Sequence, residues 1–216
     1  MILKSKTLLA ALAILFVFAS CKKSNSTSNN NNNSGNNNNN DTTAYTYYYQ
    51  ATIDGTVYKE TVTNSNNVIA GSSLDGGGPS ASFSADIAPE ADSIPPNETG
   101  FAVTKGVYVD YTDVTDSAFK AFFNPGTYPF ASSFGASGIT ISWSDHSGVD
   151  WESNNTPGTQ TGSNFTITKV ENTSGTLSNG TYYVTVTATF NCILYDGNGN
   201  SKTVTNGTFV GIFGEI

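Results

Sequence analysis

Three residue types that are used in acyl hydrolysis stand side by side at Asp145, His146 and Ser147. A catalytic triad needs its side chains to converge, whereas consecutive residues on an extended or turning chain point in different directions. The same tripeptide followed by Gly148 is typical of a turn. We therefore predict a turn with His146 exposed. This is the only histidine of the chain, which excludes the common histidine-based metal sites.

Oxygen-bearing side chains form two candidate sites for calcium, a cation that prefers oxygen ligands. The first site consists of three aspartates, Asp110, Asp113 and Asp116. The second, residues 196–200, reads Asp-Gly-Asn-Gly-Asn and resembles the start of a calcium loop, but Ser201 and Gly207 replace the expected Gly and Glu. Solvated carboxylates and a hairpin turn explain the same residues. We expect no cofactor, with Ca²⁺ at the first site as the alternative.

The two tryptophans, Trp143 and Trp151, flank a predicted turn at residues 144–150. A hairpin would bring both rings to one rim, and an aromatic face can stack on the apolar face of a sugar ring. Trp143 continues an alternating apolar pattern with Ile139 and Ile141, so it is expected in the core. The pair is a candidate ligand-binding site in which Trp151 is the residue free of the core.

Signatures of covalent catalysis do not accompany these residues. Cys192 lies in the middle of a predicted strand, on its apolar face and without a basic neighbour, which indicates a buried, inert thiol. Paired carboxylates at a spacing typical of glycoside hydrolysis are also missing from the sequence. A binding or structural role is therefore favoured over an enzyme. A calcium-dependent hydrolase that uses Asp110 and its neighbours is the alternative.

The N-terminal residues 1–20 have the character of a cleavable signal peptide. Lys4 and Lys6 precede an uncharged apolar run at residues 7–18. As a helix this run spans only roughly 18 Å, which is too short for a hydrocarbon core of about 30 Å. The run therefore predicts export rather than a transmembrane helix.

The signal ends in Phe-Ala-Ser-Cys at residues 18–21, which resembles the bacterial lipobox with Phe18 in place of the usual Leu. The resemblance implies that Cys21 is lipidated and becomes the new N-terminus. One acyl chain binds a bilayer reversibly, but two or three chains make the anchor practically permanent. We expect the lipid bilayer to be a partner of the mature protein.

Residues 21–43 read as the lipidated cysteine and a disordered tether. Asparagine, serine and threonine dominate them and no apolar side chain follows Cys21, so nothing offsets the entropy of ordering. An Asn-rich aggregation segment is the competing interpretation. The asparagine blocks are short and are interrupted by Ser34 and Gly35, which favours a flexible linker.

Residues 44–216 alternate between apolar and polar side chains with the period of a β-strand. The alternation is cleanest at residues 181–196. It recurs in five further segments, at residues 45–53, 81–87, 107–111, 139–143 and 165–167. Turn residues separate the segments, and none sustains the spacing of an ordinary helix. The sequence predicts one all-β domain, an antiparallel two-sheet β-sandwich, with a closed β-barrel as the alternative.

The predicted domain is strongly acidic. The whole chain has a formal net charge of -8 at pH 7, and from Ala44 onward sixteen acidic residues face five lysines, a formal charge of -11. An acidic surface repels phosphate backbones, which excludes nucleic acid as a partner.

Several strand-and-turn motifs accompany the anchor motif at residues 20–23. They are Pro-Gly-Thr-Tyr at 125–128, Gly-Ser-Asn-Phe-Thr-Ile-Thr at 162–168, Phe-Asn-Cys-Ile-Leu-Tyr-Asp at 190–196 and Asn-Gly-Thr-Phe at 206–209. With them the chain resembles small lipid-anchored β-domain lipoproteins of the Bacteroidota cell envelope, whose function is uncharacterised. The resemblance implies an outer-membrane location, facing the periplasm or the surface, and brings no catalytic residues. We expect a non-enzymatic domain that binds a glycan or an envelope protein.

Overall fold

The computed structural model describes residues 46–63, 66–77, 80–90, 98–109, 114–173 and 182–214. The predicted signal peptide, Cys21 and the tether lie outside these residues, as do Asp110 and Asp113. The described residues form eleven strands and one helix: β1 (Tyr48–Ile53), β2 (Thr56–Thr61), β3 (Val68–Gly77), β4 (Ser80–Pro89), β5 (Gly100–Val109), α1 (Asp116–Phe122), β6 (Gly126–Tyr128), β7 (Gly138–Ser144), β8 (Asp150–Glu152), β9 (Asn164–Asn172), β10 (Tyr183–Tyr195) and β11 (Ser201–Gly214).

All eleven strands belong to one hydrogen-bonded antiparallel sheet. Nine of them follow the order β2-β1-β11-β10-β8-β7-β5-β4-β3, while β9 pairs with β10 and β6 pairs with β9 beside this path. The sheet curls into a half-barrel, in keeping with the twist that antiparallel strands accumulate. As a result β11 packs against β3 and β4 across the interior. The predicted all-β antiparallel class is confirmed, but the described strands form one sheet curled into a half-barrel rather than the two separate sheets of a sandwich.

The core consists of the inward positions of the strands that the alternation identified. In β10 the buried inward residues are Val184, Val186, Ala188, Phe190, Cys192 and Leu194. Ile139, Ile141 and Trp143 of β7 and Ala81, Phe83, Ala85 and Ile87 of β4 are buried in the same way. Burial of these apolar side chains stabilises the fold by roughly 25 cal/mol for each Å² removed from water.

The predicted apolar face at residues 107–111 is wrong at Val109, and residues 110 and 111 lie outside the described residues. Val109 is 64% exposed, and the buried apolar residues of β5 are Phe101 and Val103. The pairing of β4 with β5 shifts register between Ala81 and Phe83. Such a shift changes which residues of the next stretch face inward, so the simple alternation cannot be extended through it.

A short helix, α1, interrupts the strands and was not predicted by the strand pattern. Its N-cap is Thr115, whose hydroxyl accepts a hydrogen bond of 3.3 Å from the backbone N–H of Ala118. Asp116 in the first turn and Lys120 in the last turn complement the helix dipole. Phe119 is fully buried, and its ring packs against Phe83, Phe123 and Tyr182. Among the described residues, no helix has the length and apolar character that crossing a membrane requires.

Candidate functional site

A groove of about 440 Å³ opens between two segments, residues 127–132 and residues 158–164. The first segment contains the end of β6 and the chain that follows it. The second is the turn that leads into β9. Because the two segments are far apart in sequence, the groove exists only when the sheet brings them together.

The first wall of the groove is held between two strands. Along β6, Thr127 pairs with Thr166 of β9, and Tyr128 pairs with Phe165. After Tyr128 the chain pairs with β7 instead of β9, and the N–H of Ile139 donates to the carbonyl of Pro129 at 2.9 Å. Gly138 permits this approach, since its φ is +121° and a Cβ there would lie 2.7 Å from the Pro129 oxygen.

The second wall is fixed by the side chain of Gln160. Its Nε2 donates to the carbonyls of Ser153 at 2.7 Å and Ile193 at 2.5 Å, and its Oε1 accepts from the N–H of Ile193 at 3.0 Å. The amide therefore pairs with Ile193 as the backbone of a neighbouring strand would. Strand β10 pairs with β9 as far as Asn191 and with β8 at Tyr195. The Gln160 amide occupies the position between these two pairings.

Four further hydrogen bonds fix the segment before β9 and its start against β10. The hydroxyl of Tyr195 donates to the carbonyl of Thr159 at 2.6 Å, and the side-chain amide of Asn155 donates to the carbonyl of Tyr195 at 3.2 Å. Asn164 and Asn191 exchange hydrogen bonds between backbone N–H groups and side-chain oxygens, at 2.8 and 3.2 Å. The wall is thus built on β10, one of the most buried strands of the sheet.

The groove combines two aromatic rings with unpaired polar groups. Tyr128 and Phe130 are half-buried lining residues. Within the described part of the chain, the hydroxyls of Ser132 and Ser163 and the amide nitrogen of the Asn164 side chain make no hydrogen bond. None of the residues described as lining the groove is charged. Such a surface suits an uncharged ligand with an apolar face and several hydroxyl or amide groups.

The ring of Tyr128 has a second contact, with a buried lysine. The Nζ of Lys105 lies 4.2 Å from the centroid of Tyr128 and 4.1 Å from that of Phe122. Lys105 is only 7% exposed, and it takes part in neither of the two ion pairs found among the described residues. Burial lowers the pKa of Lys105 to about 8, and burial raises the pKa of Tyr128 above its ordinary value. The faces of the two rings stabilise the ammonium group.

The structure brings the two predicted tryptophans together but buries them. Trp143 and Trp151 are directly opposite each other in the β7–β8 pair and are 2% and 8% exposed. The ammonium group of Lys202 lies 4.5 Å from the Trp151 ring centroid, and the indole N–H donates to Asp145 at 2.9 Å. Both rings are thus in contact with the protein's own residues. Their role in ligand binding stays a prediction, and the half-buried rings of the groove are more accessible.

The predicted turn at Asp145 is confirmed. One carboxylate oxygen of Asp145 accepts hydrogen bonds from the N–H and hydroxyl of Ser147, at 2.9 and 2.6 Å, and from the N–H of Val149 at 3.1 Å. Burial acts to raise the pKa of Asp145, but the hydrogen bonds from Ser147 and Trp151 outweigh it and lower that pKa. His146 is exposed. The three side chains form a turn and do not converge as a triad.

The candidate calcium residues have local structural roles where they are described. Asp116 is the first residue of α1, whereas Asp110 and Asp113 lie outside the described residues, so the calcium-dependent hydrolase stays a prediction. At residues 196–200 the predicted hairpin between β10 and β11 is confirmed, and Asp196 accepts from the N–H groups of Asn198 and Asn200 at 2.8 and 3.0 Å. The described residues include no group of three or more His, Cys, Asp or Glu arranged to hold a metal.

Cys192 is buried as expected, and burial raises the pKa of its thiol far above the ordinary value. A thiol in this state is a poor nucleophile. It belongs to the core rather than to the groove.

Comparisons of the chain with protein-family models, with curated proteins and with solved structures return no match. Sequence reasoning did not identify Tyr128, Phe130 or Gln160 as site residues, although Tyr128 closes the motif noted at residues 125–128. Nothing in the pattern around Gln160 signals that its amide pairs with a residue 33 positions away.

Proposed function

We propose that this protein is a lipid-anchored, non-enzymatic binding protein that holds a neutral glycan in the groove between residues 127–132 and 158–164. The observation that carries the proposal is the composition of the groove. Two aromatic rings stand beside unpaired hydroxyl and amide groups. A sugar presents an apolar C–H face, which stacks on an aromatic ring, and hydroxyl groups, which pair with such donors and acceptors.

Charge favours a neutral glycan over an acidic one. The groove has no charged side chain among its lining residues, and the chain from Ala44 onward has a formal charge of -11. A polyanionic glycan would be repelled by this net charge, and no lining residue is a cation that could pair with it directly. An uncharged oligosaccharide is not repelled by the net charge and needs no cation in the groove.

The anchor gives the binding domain a location. Lipid on Cys21 would hold the chain at the outer membrane, and the tether would allow a span of roughly 25 Å if fully flexible. Replacing Cys21 with Ala is expected to abolish labelling with a radioactive fatty acid and to release the protein from the membrane fraction. Labelling that persists in this variant would contradict the lipobox assignment.

Glycan binding is tested with the full-length chain, purified in a zwitterionic detergent that contains no sugar, on an array of neutral and acidic glycans. We expect retention of neutral glycans and exclusion of acidic ones. Ser132→Ala removes a hydroxyl that lines the groove, and Ser133→Ala removes an exposed hydroxyl that does not. Loss of one hydrogen bond costs about 0.5 to 1.5 kcal/mol, so Ser132→Ala should weaken binding about two- to tenfold.

Two results would remove the proposal. One is an array without a retained neutral glycan. The other is binding that Ser132→Ala, Ser163→Ala and their combination leave at the level of the Ser133→Ala control, because the ligand would then lie elsewhere on the protein.

A further inference from the structure

We infer that Lys105 is a positioning residue of the groove. Its ammonium group, clamped between the rings of Phe122 and Tyr128, holds the Tyr128 ring in the orientation in which that ring lines the groove, and ligand binding weakens when the charge is lost. The inference deepens the proposed function, and its binding component rests on that function.

The fold aims Lys105 into the interior. Along β5 it continues the inward face formed by Phe101 and Val103, and in the sheet it pairs with Phe83 of β4 and Ile139 of β7. An inward lysine between apolar neighbours carries a desolvation cost that an exposed lysine avoids. The protein offsets this cost with the faces of two aromatic rings, whose centroids lie 4.1 and 4.2 Å from Nζ.

The ammonium group has no carboxylate partner among the described residues. The charged residues on the elements that surround it are Asp116 and Lys120 of α1, Asp86 of β4, Lys202 of β11, and Lys169 and Glu171 of β9. Lys169 and Glu171 pair with each other, and Lys202 pairs with Asp54. Asp86 alternates with the inward residues Ala85 and Ile87 and therefore lies on the other face of β4. Among the described residues, the two rings are therefore the charge-stabilising contacts of the Lys105 ammonium group.

Tyr128 connects the clamp to the groove. Its backbone is paired with Phe165, and its hydroxyl donates to the carbonyl of Asn124 at 2.6 Å. One part of the ring is in contact with Lys105, and the residue also lines the groove. A change in the attraction between Lys105 and the ring therefore acts directly on an aromatic wall of the binding site.

The charge of Lys105 changes in an accessible pH range. Burial lowers its pKa to about 8, so the ammonium group is largely lost by pH 9.5. Tyr128 stays protonated there because burial raises its pKa. An affinity loss of about fivefold corresponds to about 1 kcal/mol, which lies within the range of about 0.5 to 2 kcal/mol for a cation–π contact.

Stability and binding should respond to pH with opposite signs. The folded-state pKa of Lys105 lies below its unfolded value, so between pH 8 and about 10.4 the unfolded chain binds more protons and this group makes the fold more stable as pH rises. Ligand affinity falls over the same range. A lysine with a merely structural role would not weaken binding while it strengthens the fold.

The first experiment needs no ligand. The full-length chain, with ¹³C-labelled lysine and tyrosine, is titrated from pH 6.5 to 10 by NMR in sugar-free detergent. We expect the Lys105 Cε resonance and the Tyr128 ring resonances to change with one shared midpoint near pH 8. The Tyr128 change should disappear in Lys105→Met, persist in the exposed-lysine control Lys59→Met, and be absent in Lys105→Arg, whose charge does not titrate. Tyr128 ring resonances that do not change at the pH where Lys105 titrates would overturn the inference.

The second experiment measures the affinity of maltotetraose, cellotetraose and tetra-N-acetylchitotetraose, all uncharged, at pH 7 and pH 9.5. We expect an affinity loss of about fivefold at pH 9.5 in the wild type, uniformly weak binding in Lys105→Met and uniformly strong binding in Lys105→Arg. A bound tetrasaccharide whose affinity is equal at both pH values would also overturn the inference. If the Tyr128 ring follows Lys105 but neutral glycans bind nowhere, the proposed function fails while the Lys105–Tyr128 coupling is supported.

Discussion

Replacing Gln160 with Glu tests whether a side-chain amide completes the sheet beside Ile193. The substitution preserves the shape of the side chain but removes the NH₂ group that donates to the carbonyls of Ser153 and Ile193. Each lost hydrogen bond costs about 1 kcal/mol, and a carboxylate held against two carbonyl oxygens adds a desolvation and repulsion penalty of similar size. We expect the free energy of unfolding to fall by about 3 kcal/mol at pH 7.

The penalty should depend on pH with a defined sign. The introduced carboxyl can donate to one carbonyl only when it is protonated, so its pKa in the folded protein is raised above the unfolded value of about 4.3. The protonated form stabilises the fold below that unfolded value, and this contribution is lost as pH rises through the raised pKa. The deficit relative to the wild type is therefore smallest near pH 4 and largest at neutral pH.

Urea unfolding of the full-length chain measures the effect, with the fluorescence of the buried Trp143 and Trp151 as the signal. With a urea dependence of about 2 kcal/mol/M, a loss of 3 kcal/mol lowers the midpoint by about 1.5 M. The matched control is Gln50→Glu on β1, where the side chain is exposed and the change should stay within about 0.5 kcal/mol. Equal midpoint shifts for the two variants, or a deficit that does not vary with pH, would refute the reasoning.

Three further outcomes follow from single contacts. Gly207→Ala places a Cβ in steric clash with three carbons of the Phe190 ring, so we expect urea unfolding to show a loss of about 2 kcal/mol, and an unchanged midpoint would contradict this packing. Asp145→Asn should destabilise the fold at pH 7. Because the pKa of Asp145 is lowered, the difference from the wild type should be complete above the unfolded value of about 3.9 and should shrink as pH falls through the lowered folded value; a difference that does not shrink between about pH 5 and about pH 2.5 would show that charge is not its cause. In a chain carrying Cys21→Ser, Cys192 should react with iodoacetamide only in urea, since its thiol is buried and its pKa is raised; rapid labelling without denaturant would disprove its burial.

Features that depend on neighbouring residues were predictable from the sequence. Alternation with period two identified the inward faces of β4, β7 and β10, because a strand buries every second side chain. The turns at Asp145 and Asp196 were predictable because their carboxylates bond to backbone groups only a few residues away. The N-cap at Thr115 was also local, but the apolar residues of so short a helix resemble those of a strand.

The candidate site depends on contacts that no local pattern contains. Gln160 contacts Ile193 across 33 positions. Lys105 contacts Tyr128 because the curled sheet brings β5 and β6 together, although these two strands do not pair with each other. The sequence by itself determined the all-β antiparallel class, the burial of Cys192 and the exposure of His146. The tertiary structure decided that all described strands form a single curled sheet. It also decided that Lys202 covers Trp151 and that a groove opens beside Tyr128. The physical reason is that strand pairing joins residues distant in sequence, and its register settles which side chains become neighbours.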